Sequence, residues 1–311
     1  MSDFPGRGNV LDQQGKYIGS QAEVDVSVLS LADGQSRKFP VKPPGATYSA
    51  AAFSPDSKLF VVARSDKEGG IWVWDLEANT ARLLESSKGW ILYSLTFAKD
   101  GSLFSGDPEG RVMRWNLQDG SSTVIYQSKF PKHFVASLKL VRDDRVLLAV
   151  DGSNEVGESY EGEVTLIDLE NQASRRIASH GSQVAYLLID AAESFLVTGS
   201  NDGTFRVGPI SGEEPHVIAM PEVLDSFAPP VTAISPDGRW IAVRCMNDAS
   251  ELVSCLVRKP EGPLLHTLPR EQLLARLRSL TNLRVVPDKS SRTEYRLDTL
   301  PFPGWEKPPT W

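Results

Sequence analysis

Apolar runs of strand length, rich in Val, Ile, Leu and aromatic residues, alternate with polar clusters of Gly, Pro, Asp and Ser along most of the chain. Short runs bounded by turn residues predict strands joined by tight connections. Several of them, such as Leu59-Phe60-Val61-Val62-Ala63, Val146-Leu147-Leu148-Ala149-Val150 and Trp240-Ile241-Ala242-Val243, are apolar at consecutive positions. That pattern predicts strands buried on both faces, between layers.

The turn that precedes these runs repeats. It reads Ser54-Pro55-Asp56-Ser57, Ala98-Lys99-Asp100-Gly101, Val141-Arg142-Asp143-Asp144, Asp190-Ala191-Ala192-Glu193 and Ser235-Pro236-Asp237-Gly238, at intervals of 44, 43, 49 and 45 residues. A second element follows in phase: Ile71-Trp72-Val73-Trp74-Asp75-Leu76, Val112-Met113-Arg114-Trp115-Asn116-Leu117, Val164-Thr165-Leu166-Ile167-Asp168-Leu169, with weaker copies at 26–31 and 204–209. Each unit carries about four short strands and cannot bury both faces alone, so neighbours must stack. Units of this length arranged radially make a β-propeller. The expected fold is all-β, a propeller of about six to seven four-stranded blades: five clear repeats and a further blade shared by the two ends of the chain.

The quoted turns, together with Trp74-Asp75 and Ser200-Asn201-Asp202-Gly203-Thr204, resemble the WD-repeat (WD40-like) family over residues 17–268, as a divergent, bacterial-type member. The resemblance implies a hydrogen-bonded tetrad of loop His, strand Ser/Thr, turn Asp and strand Trp. His180, Ser200 and Asp202 match three of its positions, but Gly208 stands where the Trp belongs, and the copy with Trp74 has no matching His. The blades therefore lean on apolar packing. Residues 1–16 read as a lead-in, and residues 17–42 as the later strands of a blade that lacks its first. From Pro269 the pattern changes to an amphipathic helix through Leu280, with Leu273, Leu274, Leu277 and Leu280 on one side, followed by two strand-like pieces and a Pro- and aromatic-rich tail. The segment 269–311 is expected to close or cover the propeller by pairing with the N-terminal strands.

Composition narrows the function. A formal net charge of −7 and a pI near 5.3 argue against nucleic-acid binding through phosphates. No apolar run reaches membrane-spanning length, and two cysteines, Cys245 and Cys255, make no disulfide framework. They flank a hairpin across which they could face each other, and buried thiols are the simpler reading. The expected setting is the cytoplasm. No phosphate-binding loop, HExxH, CxxC or GxSxG occurs, and the four histidines have no ligand spacing, so no cofactor and no metal are expected. The acidic insertion from Asp151 to Glu163 has the wrong spacing for a calcium loop and reads as a solvated hairpin.

Recognition falls to loops on a rigid scaffold. By alignment of the repeats, the edge before each first strand carries Tyr48, Trp90, Tyr93, His133, Phe134, Gln183 and Phe227, an expected partner-binding rim in which Trp90, Tyr93 and Phe134 form one exposed patch. The expected function is therefore a non-catalytic scaffold, sensor or regulatory subunit for an unidentified protein partner in a bacterial signalling or defence assembly, with no nucleic acid, membrane or small-molecule substrate. The alternatives are a propeller that inhibits or gates a partner enzyme (protease, kinase or sigma factor), and a propeller enzyme of the hydrolase type.

Overall fold

The computed structural model describes residues 8–21, 25–40, 46–129, 133–153, 162–180, 184–200, 204–212, 215–219, 231–246, 252–259, 263, 267–280, 284–287 and 295–298. Two compact units result, residues 1–259 and 260–311.

In the first unit, consecutive strands form antiparallel sheets in simple chain order. Sheet I holds β1 (Gly8–Leu11), β2 (Tyr17–Gln21), β3 (Val26–Ser30) and β4 (Ser36–Lys38). Sheet II holds β5 (Tyr48–Phe53), β6 (Leu59–Arg64), β7 (Ile71–Asp75) and β8 (Thr80–Leu83). Sheet III holds β9 (Ser94–Phe97), β10 (Leu103–Gly106), β11 (Arg111–Trp115) and β12 (Ser122–Gln127). Sheet IV holds β13 (His133–Val141), β14 (Val146–Ser153), β15 (Glu163–Asp168) and β16 (Ser174–Ser179). Sheet V holds β17 (Val184–Ile189), β18 (Phe195–Ser200), β19 (Thr204–Pro209) and β20 (His216–Ala219), and sheet VI holds β21 (Val231–Ile234), β22 (Trp240–Met246) and β23 (Leu252–Arg258). The first strands of neighbouring sheets touch, β5 against β9 and β9 against β13, so the sheets are the blades of a β-propeller. The first blade is complete: β1 supplies the strand that the sequence pattern omitted, because Gly8–Leu11 is short and opens on Gly and Asn rather than on an apolar run.

Five apolar clusters fill the five interfaces between consecutive sheets. Val28, Phe60, Val62 and Trp74 lie between sheets I and II, and Val61, Ile71, Leu92 and Trp115 between II and III. Phe104, Val112, Leu147 and Ile167 lie between III and IV, Leu148, Val164 and Leu196 between IV and V, and Val197, Phe205 and Ile241 between V and VI. Alternate residues of one strand serve opposite interfaces, as Val61 and Val62 do, which is why these strands are apolar at consecutive positions.

The repeated turn has a backbone reason. Its fourth residue takes positive φ in all five copies: Ser57 (60°), Gly101 (85°), Asp144 (61°), Glu193 (51°) and Gly238 (68°). This left-handed step folds the first strand back onto the second, and Gly is strain-free there.

Two side-chain bonds between residue types of the expected tetrad occur, in different blades. Trp115 Nε1 donates to Ser105 Oγ at 2.8 Å. His180 Nε2 lies 2.7 Å from Thr198 Oγ1, two residues before the expected Ser200 and on the same strand face; Asp202 lies outside the described residues. Replacing Ser105 with alanine strands the buried indole N–H, and a loss of about 1–3 kcal/mol is expected, read as a lowered urea midpoint at unchanged slope.

Register places Cys245 opposite Val253 and Cys255 opposite Val243, so the two cysteines are offset rather than facing. In the second unit, α1 (Arg270–Leu280) matches the expected helix, and β24 (Arg284–Pro287) pairs with β25 (Tyr295–Asp298). No helix among the described residues is long and apolar enough to cross a membrane.

Candidate functional site

The expected rim residues divide. Tyr48, at the start of β5, is 3% exposed and meets Phe39 edge-on. Phe134 is 6% exposed: it meets Tyr93 at 5.2 Å and covers Gly152, where an added Cβ would come within 2.3 Å of the ring. These two rings are core, so the expected exposed patch of Trp90, Tyr93 and Phe134 is not formed. The reason is register: Tyr48 pairs with Arg64 and Phe134 with Gly152, inside the sheets rather than in the loops above them. Trp90 and Tyr93 are half-buried. His133 is 7% exposed. Gln183 and Phe227 lie outside the described residues.

His133 belongs to a polar cluster that ends an otherwise apolar interface. On β14, Leu147 and Ala149 face sheet III, and Asp151 continues that face at the strand end, fully buried. On β15, Ile167 is followed in the same direction by Thr165 and Glu163, also buried. His133 Nδ1 lies 3.9 Å from Asp151 Oδ2. From sheet III, Ser128 Oγ donates to Asp151 Oδ2 at 3.4 Å, and Tyr126 OH lies 3.4 Å from Thr165 Oγ1. Arg176 Nη1 on β16 donates to Glu163 Oε1 at 2.8 Å. Asp151 Oδ1 is buried with no hydrogen-bond partner among the described residues.

Burial, reinforced by the neighbouring Glu163 charge, pushes the Asp151 carboxyl up to about 7. Burial also pushes His133 down, against the opposing pull of Glu163, and so favours its neutral imidazole. Tyr126 is raised by burial and by the Asp151 charge. An imidazole held neutral beside a carboxyl that changes charge near neutral pH can accept a proton and share the resulting charge with the carboxylates behind it.

The connection from 107 to 110 joins this cluster to a small groove of 290 Å³ between Lys88–Ile91 and Asp107–Arg111. Asp107 is buried and takes Arg111 Nε at 2.6 Å, while Arg111 Nη2 pairs with Glu109 at 2.7 Å. The guanidinium lies 4.5 Å above the Trp90 ring. On its other side the same turn accepts Ser128 N at Gly110 O (2.8 Å). Gly110 has φ +75°, and a Cβ would stand 2.9 Å from His133 O, so this position excludes side chains.

Sequence reading missed Asp151, Glu163, Ser128 and Tyr126. Asp151 and Glu163 bound the acidic insertion, which read as solvated; its two ends are in fact buried, and residues 154–161 lie outside the described residues. The available signal was an Asp directly after five consecutive apolar strand residues.

No family model and no curated protein matches the sequence. Among solved structures, the chain is similar to an oligogalacturonate lyase in complex with manganese, with TM-score 0.63 and 13% identity over 82% of this chain and 78% of that one. It is also similar to the hydrazine synthase of Kuenenia stuttgartiensis, with TM-score 0.59 and 13% identity over 88% of this chain and 83% of that one. At this identity the likeness shows the propeller fold. Both proteins are enzymes, which overturns the expectation of a non-catalytic scaffold. Among the described residues, no group of three or more His, Cys, Asp or Glu is placed to hold a metal ion.

Proposed function

We propose that the chain is a propeller enzyme that works by acid–base proton transfer at the rim between blades III and IV. The observation that carries this reading is Asp151: a fully buried carboxyl raised to about 7, 3.9 Å from a histidine ring held neutral. A buried acid costs folding free energy, and perturbed groups of this kind concentrate where proton transfer is needed. His133, at the start of β13, is the group assigned to take the proton from the substrate. Asp151 and Glu163 sit behind it and balance the imidazolium charge. Arg176, bonded to Glu163, fixes the position of that second carboxylate.

The similar lyase supports acidic oligosaccharides as the first substrates to try. The WD-repeat resemblance is supported by the repeated turn and by the Trp115–Ser105 bond, and a cytoplasmic setting by the low cysteine count. The test is turnover by the purified full chain on oligogalacturonates and related uronides, followed by absorbance of unsaturated product and by new reducing ends. His133→Gln is expected to lower the rate by about 10²-fold or more, at unchanged melting temperature. Absence of turnover across the panel, or turnover that survives His133→Gln, overturns the reading.

A further inference from the structure

At the opposite strand ends from the His133 cluster, the repeated turns of neighbouring blades are clasped together. The second residue of one turn donates its backbone N–H to the carboxylate of the fourth residue of the next: Lys99 N to Asp144, and Arg142 N to Glu193 Oε2. Sheets I and II are tied at the same level by Ser57 Oγ to Asp12 and by Gln14 Nε2 to Pro55 O (2.9 Å). Between blades II and III both halves of the clasp are deleted. The second residue is Pro55, which has no N–H, and the fourth is Gly101, which has no side chain. No hydrogen bond joins these two turns among the described residues. Among the junctions from blade II to blade VI, both halves are missing only here; between V and VI, Ala191 keeps its N–H and only Gly238 lacks the carboxylate.

A groove of 710 Å³ opens at this junction. It runs under blade III from the 98–102 turn to β12, with the Ser54–Asp56 turn as its other wall. Its size lies within the range of pockets that enclose small organic ligands. Leu59 and Phe97 give it an apolar floor, and Asp56, Lys99, Asp100, Arg114, Asn116 and Gln118 line its walls. The two acids and two bases cancel, and each is held by the protein itself. Arg114 Nη2 donates to Asp100 Oδ2 (3.1 Å) and Ser102 Oγ (2.8 Å), Asp56 accepts from Ser54 Oγ (2.6 Å), and Lys99 pairs with Asp143. An ionic ligand therefore finds no unpaired charge among these four side chains. A neutral ligand with many hydroxyls and one apolar face meets fixed donors, fixed acceptors and an apolar floor.

We infer that this unclasped groove is a binding site for a short neutral oligosaccharide. It is separate from the rim cluster and does not rest on the acid–base reading. The test is calorimetric titration of the full chain with maltotriose, cellotriose and xylotriose, with trigalacturonate as the charged comparison. At least one neutral trisaccharide is expected to bind with submillimolar Kd, and trigalacturonate at least tenfold more weakly. The double substitution Pro55→Ala, Gly101→Asp restores both halves of the clasp and is expected to weaken binding tenfold or more. If that variant does not fold, Arg114→Gln, which removes a half-exposed donor, is expected to do the same with its melting temperature kept. Binding by none of the neutral sugars, tighter binding of trigalacturonate, or affinity unchanged in the variant that folds overturns the inference. The measurement is of binding alone, so its failure is distinguishable from a failure of turnover.

Discussion

Replacing Trp74 with alanine is expected to destabilise the protein by about 3–5 kcal/mol. Trp74 is 0% exposed and fills the interface between blades I and II, packed edge-on by Phe39 at 5.6 Å and by Phe60 at 6.4 Å. Its indole Nε1 donates to Asn79 Oδ1 at 3.2 Å, so truncation also removes a tie to the turn that ends β7. Rigid sheets on both sides leave the cavity little room to collapse, which puts the cost toward the upper end. For a domain of this size the melting temperature should fall by roughly 10 °C. The control is Trp240, which is 43% exposed on β22; Trp240→Ala should stay within about 0.5 kcal/mol. A Trp74→Ala protein that melts within a degree of the parent would show that the ring is not the filling of that interface.

Trp74 was legible in the sequence because both periods that identify it are local. The repeated turn marks where each first strand ends, and the left-handed fourth residue is visible as Gly, Ser, Asp or Glu in each copy. Consecutive apolar residues mark strands that serve two interfaces, and the five clusters fill those interfaces in order. The rim was less legible, because a loop aromatic and a strand-end aromatic look alike in sequence. Phe134 stands one register pair inside β13, and Gly152 opposite leaves the space its ring occupies. Only the pairing reveals that glycine as a partner. Truncating Phe134 therefore acts on the core, and the melting behaviour of the parent is not expected of that variant.

The polar cluster was hidden for a different reason. Asp151, Glu163 and His133 come from three strands, Tyr126 from the neighbouring sheet and Ser128 from the residue that follows its last strand. Each residue alone reads as a loop or strand-end polar group. Their proximity exists only after the sheets stack, and the desolvation that alters their chemistry follows from the same stacking.

That desolvation has a signature in stability. Asp151 titrates near 3.8 in an unfolded chain and near 7 in the folded one. Between those values the folded protein holds a proton that the unfolded chain has released. Raising the pH through this window therefore costs stability, and the loss is complete above the folded value at about 4 kcal/mol. Asparagine has the same shape and no charge to bury, so Asp151→Asn should escape the loss. Urea midpoints of parent and variant are expected to lie close together near pH 4.5 and to separate by pH 8, with the variant the more stable by about 3–4 kcal/mol. A gap of the same size at both pH values would mean that Asp151 is not the titrating group. A parent more stable than the variant at pH 8 would mean that the carboxylate is welcomed by its surroundings rather than strained by them. The variant that gains stability at pH 8 should also lose turnover, because asparagine cannot supply the negative charge that balances the His133 imidazolium. Gain in one and loss in the other is the behaviour of a group retained for chemistry at the expense of the fold, whereas a purely structural acid would give the first change without the second.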